Sequence, residues 1–433
     1  MKKFLLKPLF VLFFTLLTTL AGAVDARYFH PGEFGRVEAV MFAHPINVPF
    51  ELIVEISKDV KAIIIVENER RLNMIRARLT NDGANMNNVE FLQFPTDRYW
   101  TRDYGPWVVF NKTDMTRRIV GYTYNRNRPL DNMVGERYAN SIGIPFVRMP
   151  VYHTGGNYMT DGYGTAMSTT LLLKENTRYT EETILQPFAE NMGMNRYLLY
   201  EDINGEYIEH IDCWAKLVSP DTVIMRQLPR DSRLYDLAES TAQSIASTPS
   251  AYGTNYRVIR INTSRNEPYS NSLIVNNKVF VPIKGTPNDE AALATYRNAM
   301  PGYEVFGFDG QWLSTDALHC RTKEIPDSGL LHIEYTPANG IVRTADSINI
   351  KFTVYPFSRT DVINDKTGVY WKAANSTQWS FVKATPEADR VYSVAIPLNG
   401  NNPIQYYIHA EDRSGRAENI PFIGAPMAFT YRP

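Results

Sequence analysis

One of the two cysteines in the chain closes the run Thr315-Asp316-Ala317-Leu318-His319-Cys320. A thiol is a strong nucleophile when its surroundings favour the thiolate. His319 is next door, but adjacent side chains point apart on a strand and do not face each other on a helix, so the base for Cys320 is expected elsewhere. Of the other six histidines, His210 has the most suggestive company, in Tyr207-Ile208-Glu209-His210-Ile211-Asp212-Cys213-Trp214. On a strand, His210 and Asp212 would share a face. Two carboxylates, Asp103 and Asp212, suit the two nitrogen edges of a planar guanidinium, and Trp100 offers an aromatic face for its stem or cation. Cys320 would attack the guanidinium carbon. His210 would protonate the departing ammonia and then activate water, one residue switching from acid to base. Each residue taken singly has a plainer reading. A lone cysteine is commonly inert and buried. Asp103, in Arg102-Asp103-Tyr104-Gly105, suits a turn, and so does Gly155-Gly156-Asn157. His210 and Asp212 suit a metal, but no third and fourth ligand stand at metal spacing. The conjunction is more specific than any part.

The elements that must gather these residues repeat. A hairpin, a helix and a strand follow one another at 107–110, 118–124, 132–141 and 145–149. The order recurs at 157–159, 165–173, 180–191 and 197–201, then at 210–217, 222–225, 232–245 and 256–261, and again at 271–275, 279–283, 289–299 and 303–308. An earlier stretch, with strands at 37–43, 60–66 and 89–94 and helices at 50–58 and 69–79, fits the unit less well. A recurring supersecondary unit points to a closed radial architecture. Asp103, Gly155-Gly156-Asn157, His210 with Asp212, Asn271 and Cys320 each lie at or just before the start of a unit's hairpin, so radial units would bring them to one centre. From about residue 325 the character changes. Short strands at 331–335, 347–355, 368–372, 379–383, 390–396 and 404–410 alternate with polar turns, which predicts an all-β sandwich of immunoglobulin type packed against the first domain.

The chain has 433 residues, 44% hydrophobic and 21% charged, an ordinary globular composition of two or three domains. A net charge of −1 without a basic run argues against nucleic acid. Lys2, Lys3 and Lys7, an apolar run to Leu20 and the small residues Ala21-Gly22-Ala23 read as a signal peptide cut after Ala23. The apolar run is too short for a good membrane span. In an exported chain Cys213 and Cys320 offer one disulfide. Cys213 is expected to face away from His210 and Asp212, and free thiols are the favoured reading.

The order Trp100-Thr101-Arg102-Asp103-Tyr104-Gly105-Pro106, Gly155-Gly156-Asn157, His210-Ile211-Asp212 and a late cysteine resembles the guanidino-group-modifying superfamily. Within it, Tyr207 to Trp214, Asn271-Ser272-Leu273-Ile274 and Thr315 to Thr322 are most similar to the bacterial, Porphyromonas-type peptidylarginine deiminases. The resemblance covers essentially the whole mature chain. It implies a five-bladed α/β propeller over 24–324, after the signal peptide 1–23, and an immunoglobulin-like sandwich over 325–433. It implies Cys320 as nucleophile, His210 as acid/base, Asp103 and Asp212 as guanidinium-binding carboxylates and Asn271 beside the nucleophile. Trp100, Tyr207 and Thr315 would line the substrate slot, and Arg126 and Arg128 would bind a peptide's terminal carboxylate. The implied reaction converts arginine, preferably at a peptide C-terminus, to citrulline and ammonia. No cofactor is required, though the resemblance leaves room for a structural calcium or sodium ion. The expected partners are arginine peptides or proteins, and the expected state is a monomer. The family's members usually carry a further carboxy-terminal secretion domain. The signal peptide implies an exported protein, secreted, cell-surface or periplasmic; with the chain stopping at Pro433, the expectation is that it is trimmed, stays in the periplasm or leaves by another route. Two other readings remain: a deiminase of free arginine or agmatine, and a non-catalytic exported protein that binds arginine peptides.

Overall fold

The computed structural model describes residues 16–19, 26–264, 266–344, 346–398, 400 and 402–433. The expected signal peptide falls outside these residues except for Leu16–Thr19, a strand antiparallel to Arg196–Tyr200. No helix among the described residues is long and apolar enough to cross a membrane.

The chain as far as Pro326 builds five small sheets, and four begin with the expected hairpin. Trp107–Asn111 pairs antiparallel with Thr116–Tyr124, the chain turns through the helix Val134–Ser141, and Phe146–His153 returns parallel to Thr116–Tyr124. Ala215–Ser219, Thr222–Gln227 and Arg257–Asn262 repeat the arrangement around the helix Tyr235–Ala246. Leu273–Val275, Lys278–Ile283 and Glu304–Asp309 repeat it around Asp289–Ala299. Parallel returns need a crossover, and the amphipathic helices supply it. Their ends are encoded locally. The Thr180 side chain caps Glu181–Met192 by accepting from the Thr183 amide, and Gly193 ends that helix at φ +70°, a conformation costly for a side chain.

The first unit fitted the pattern poorly because its outer strand comes from far along the chain. Lys323–Pro326 pairs antiparallel with Val37–Ala43, which runs parallel to Lys61–Val66. The expected boundary after 324 therefore falls inside a strand. Two further units depart from expectation in detail. The run from His210 is not a strand: Ile211–Cys213 is a 3-10 turn, and the strand begins at Ala215. Likewise 165–173 divides into the strand Thr165–Thr169 and the short helix Leu171–Glu175.

Beyond Pro326 two sheets face one another. One centres on Ser347–Pro356 and Val391–Pro397, the other on Gly368–Ala373 and Ile404–Glu411. Burial alternates along Ile404–Glu411, and Ile350, Val394, Val369 and Ile408 share one core. This pair packs against the first part, as expected. Phe29 stacks on His332 at 4.2 Å, Phe357 meets Phe110 edge-on at 4.7 Å, and Arg36 donates to Glu418 at 3.0 Å.

Candidate active site

Ala317 and Leu318 are buried in the core with Val40, Leu273 and Phe280, and this anchor places His319 and Cys320 against Asn271 and Asp212. The segment there is a turn, with Arg321 N bonding Leu318 O and Thr322 N bonding His319 O. Asn271 fixes it. Its Oδ1 accepts from the His319 amide at 2.9 Å and the Cys320 amide at 3.3 Å, while its Nδ2 donates to Asp212 O at 3.2 Å and Cys320 Sγ at 3.3 Å. The short helix Thr101–Tyr104 carries Asp103, and the Arg102 amide donates to Cys320 O at 3.2 Å.

Gly155-Gly156-Asn157 is more than a turn. A Cβ on Gly156 would lie 2.7 Å from His210 Nδ1, 2.9 Å from Asp103 Oδ1 and 3.3 Å from Asp212 Oδ2, so three candidate residues from two units converge over a position that only glycine suits. The Asn157 Oδ1 accepts from the Thr169 and Ile211 amides at 2.9 and 3.2 Å and so holds the turn that presents His210.

Cys320, Asp212, Asp103, His210 and Asn271 are thus brought together and are all buried. The Cys320 sulfur lies 3.7 Å from Asp212 Oδ2, and Asp103 Oδ1 lies 3.7 Å from His210 Nδ1. Asp103 Oδ1 and both His210 ring nitrogens have no hydrogen-bond partner among the described residues. Buried polar atoms left bare are costly, and here they mark where a polar ligand is received. Burial raises the Asp103 carboxyl against the opposing pull of His210. Burial lowers His210 despite Asp103 and Asp212, so the ring rests neutral. Burial would also raise Asp212, but the His319 hydrogen bond and charge, with His210 and Arg102, hold it below the usual carboxylate range. A hydrogen bond from the Cys213 thiol favours the Cys320 thiolate. Burial and the Asp212, Asp316 and Asp103 charges outweigh it, and the thiol is pushed up.

Cys213 therefore does not face away. Its sulfur is 3.6 Å from Asp212 Oδ1, because the 3-10 turn replaces the alternation of a strand, and both cysteines are free thiols. At the rim Arg128 lies over the Trp100 ring at 4.6 Å and donates to the Tyr124 hydroxyl, which itself donates to Asp103 Oδ2, both at 3.2 Å. Neither Arg126 nor Arg128 forms an ion pair among the described residues. Thr315 is half-buried in the turn ahead of Cys320. Tyr207 is 80% exposed and stands in solvent. Its loop is held from behind, by Asp202 accepting from the Gly205 amide and Asn204 donating to Ser314 O.

Sequence reasoning passed over the layer beneath the site. Glu33, Arg102, Lys216, His319, Lys323 and Glu324 form one buried cluster. Arg102 bonds both Glu33 and Glu324, Lys216 bonds Glu33, and Lys323 bonds Glu324. The available signal was Lys216 inside an apolar strand, since a buried charge requires a partner. Glu33, His319 and Glu324 lie close enough together to hold a metal ion, but each carboxylate is already engaged by Arg102 and a lysine, so the cluster is a salt-bridge network.

A buried thiol, a histidine and two carboxylates that leave polar atoms bare can bind a guanidinium and open it hydrolytically. Fold and site define a mixed α/β hydrolase of the guanidino-group deiminase superfamily. The chain belongs to the family of Porphyromonas-type peptidyl-arginine deiminases, whose model matches residues 38–326. A Vibrio parahaemolyticus protein provisionally named an agmatine deiminase is 25% identical over 360 residues, covering 70% of this chain and 98% of its own length. An Enterococcus faecalis agmatine deiminase structure superposes with a TM-score of 0.62 at 21% identity, covering 71% of this chain and 98% of that one. A Porphyromonas gingivalis structure provisionally named an arginine deiminase gives 0.61 at 20% identity, covering 69% and 98%.

Proposed function

We propose that this chain is a peptidylarginine deiminase that converts arginine, preferably at a peptide C-terminus, to citrulline and ammonia. The observation that carries this reading is the pair Arg126 and Arg128. Among the described residues neither forms an ion pair, and Arg128 is linked through Tyr124 to Asp103. A guanidinium held at Asp103 would leave the substrate's own carboxylate within the field of two fixed arginines, and bidentate arginine pairing suits that group.

The chemistry follows from the charges. Asp103 and Asp212 take the guanidinium edges, and the arriving cation offsets the carboxylates that hold Cys320 protonated. The thiol gives up its proton to His210, and the thiolate bonds to the guanidinium carbon. His210 returns the proton to the departing nitrogen, and ammonia leaves. His210 then takes a proton from water, the resulting hydroxide adds to the thiouronium carbon, and the C–S bond breaks to release the ureido group as the added hydroxyl loses its proton to solvent and His210 returns its proton to the Cys320 sulfur. No cofactor enters.

A second reading, deimination of agmatine, is favoured by the names of the relatives. The reading of the fold also extends further. The five like-built sheets, with Lys323–Pro326 joining the last segment to the first sheet, support a five-bladed propeller. The two facing sheets after Pro326 support an immunoglobulin-like domain. The test is citrulline formation from a peptide ending in arginine, the same peptide with arginine internal, and agmatine, with Cys320→Ala as blank. Turnover mainly on the C-terminal arginine is expected. Turnover mainly on agmatine would keep the chemistry and remove the peptidyl assignment, and no citrulline from any substrate would remove both.

A further inference from the structure

His319 was set aside because it neighbours Cys320, yet the structure gives it an unusual position. Its ring is fully buried. Nδ1 lies 2.8 Å from Asp212 Oδ2, and Nε2 lies 2.8 Å from Glu33 Oε2. Ionised carboxylates accept hydrogen bonds and cannot donate them, so a ring between two of them must donate from both nitrogens. We propose that His319 is a positioning residue, an imidazolium clamped between Glu33 and Asp212 that aims the Asp212 carboxylate at the substrate guanidinium. This rests on the reading of Asp212 as a guanidinium-binding group.

The two ends of the clamp differ in what depends on them. Glu33 already has Arg102 and Lys216. Asp212 has no such reserve. Among the described residues His319 supplies the one nitrogen donor to its carboxylate, and its other side-chain contacts are the thiols of Cys213 and Cys320 at 3.6 and 3.7 Å. Without His319, Asp212 would be a buried carboxylate beside two thiols, free to rotate and driven to take up a proton. Either change would spoil a site that needs a fixed anion.

The charged groups that face the ring come from several elements. The segment before Val37 supplies Glu33, the helix Thr101–Tyr104 supplies Arg102, and the 3-10 turn supplies Asp212. The strand Ala215–Ser219 supplies Lys216, and Lys323–Pro326 supplies Lys323 and Glu324. Counting Asp103 as ionised, the carboxylates of Glu33, Asp103, Asp212 and Glu324 are matched in number by Arg102, Lys216, Lys323 and His319 only if His319 carries its charge. The buried site is then electrically neutral before substrate arrives.

Two measurements test this. The first uses wild-type protein labelled with 15N-histidine. One buried ring is expected to show two slowly exchanging N–H groups. If every slowly exchanging ring is singly protonated, the proposal falls, whether or not any variant folds. The second compares H319N with H319Q. The asparagine amide stands near Nδ1 and keeps a donor toward Asp212; the glutamine amide stands near Nε2 and keeps a donor toward Glu33. A positioning role predicts a loss in kcat/KM of about 10-fold for H319N and about 100-fold or more for H319Q, at similar melting temperatures. Equal losses, or a more active H319Q, would overturn it, because a merely structural histidine has no reason to favour the Asp212 side. Wild-type protein that forms no citrulline would sink the proposed function instead and leave the labelling result to be read by itself.

Discussion

Cys320 is surrounded by acids before any substrate is bound, and this sets its resting state. With burial first and then Asp212, Asp316 and Asp103 raising it against the Cys213 hydrogen bond, the free enzyme holds a thiol at neutral pH, and the thiolate appears only as pH rises through an alkaline range. Thiolate absorbance at 240 nm is therefore expected to be low at pH 7 and to grow above the ordinary cysteine range. Adding guanidine or a slow arginine analogue should bring it out at lower pH, because a bound cation removes the penalty. Thiolate already present at pH 7 without ligand would mean that His210 holds the proton at rest, against the depressed basicity that burial gives it. The rim residues make a separate prediction. Arg128→Ala removes a cation that lies on Trp100 and touches Tyr124. It should raise KM for a peptide ending in arginine by about 10- to 100-fold, the scale of one charge-assisted bond, and leave KM for agmatine nearly unchanged. Equal effects on both substrates would mean that Arg128 shapes the slot rather than reading a carboxylate.

At the scale of elements, the turn 155–157 brings together what the sheets supply. Gly156→Ala places a methyl group against His210, Asp103 and Asp212, all side-chain ends that can shift. Activity should fall by about 100-fold while the melting temperature changes little, since misplacing reacting groups is costly where a small repacking is not. A large stability loss with normal specific activity would refute this reading of the turn. The same turn shows what the sequence carried and what it did not. The helix Val134–Ser141 and the strand Lys61–Val66 were legible because apolar spacing and unbroken β-branched runs are local signals. The residues Asp103, His210, Asp212 and Cys320 were legible as a set because their chemistry is specific in combination. The layer beneath was not. Glu33 meets His319 across nearly the whole catalytic segment, and Lys323–Pro326 pairs with Val37–Ala43, contacts that no local pattern encodes. The rule that adjacent side chains diverge is a rule for strands. His319 and Cys320 sit in a turn, and both reach Asp212 Oδ2.

At the scale of the whole molecule, buried histidines tie stability to pH. Burial lowers His30 and His153 to about 3 and His332 to about 4, against an ordinary value of 6.5. In the unfolded chain these rings bind protons near pH 6.5, and in the folded chain they do not, so their contribution is complete above that pH and is lost as pH falls toward the folded values. Each would cost on the order of 1–3 kcal/mol by pH 4. The melting temperature should therefore fall steadily from pH 6.5 to pH 4; a flat profile would show that water reaches these rings. His332 also links the two parts of the chain, since it stacks on Phe29. Around it lie Phe357 against Phe110 and Arg36 bonded to the buried Glu418. Among the described residues, no hydrogen bond or ion pair joins the chain after Pro326 to the five residues gathered at Cys320. Ending the chain after Pro326 would bare Phe29 and Phe110 and leave Arg36 without Glu418, so the shortened protein should melt several degrees lower and aggregate more readily. Molecules that remain folded should keep kcat and KM on the arginine peptide. A stable shortened protein with altered KM would instead place the C-terminal sheets in substrate recognition.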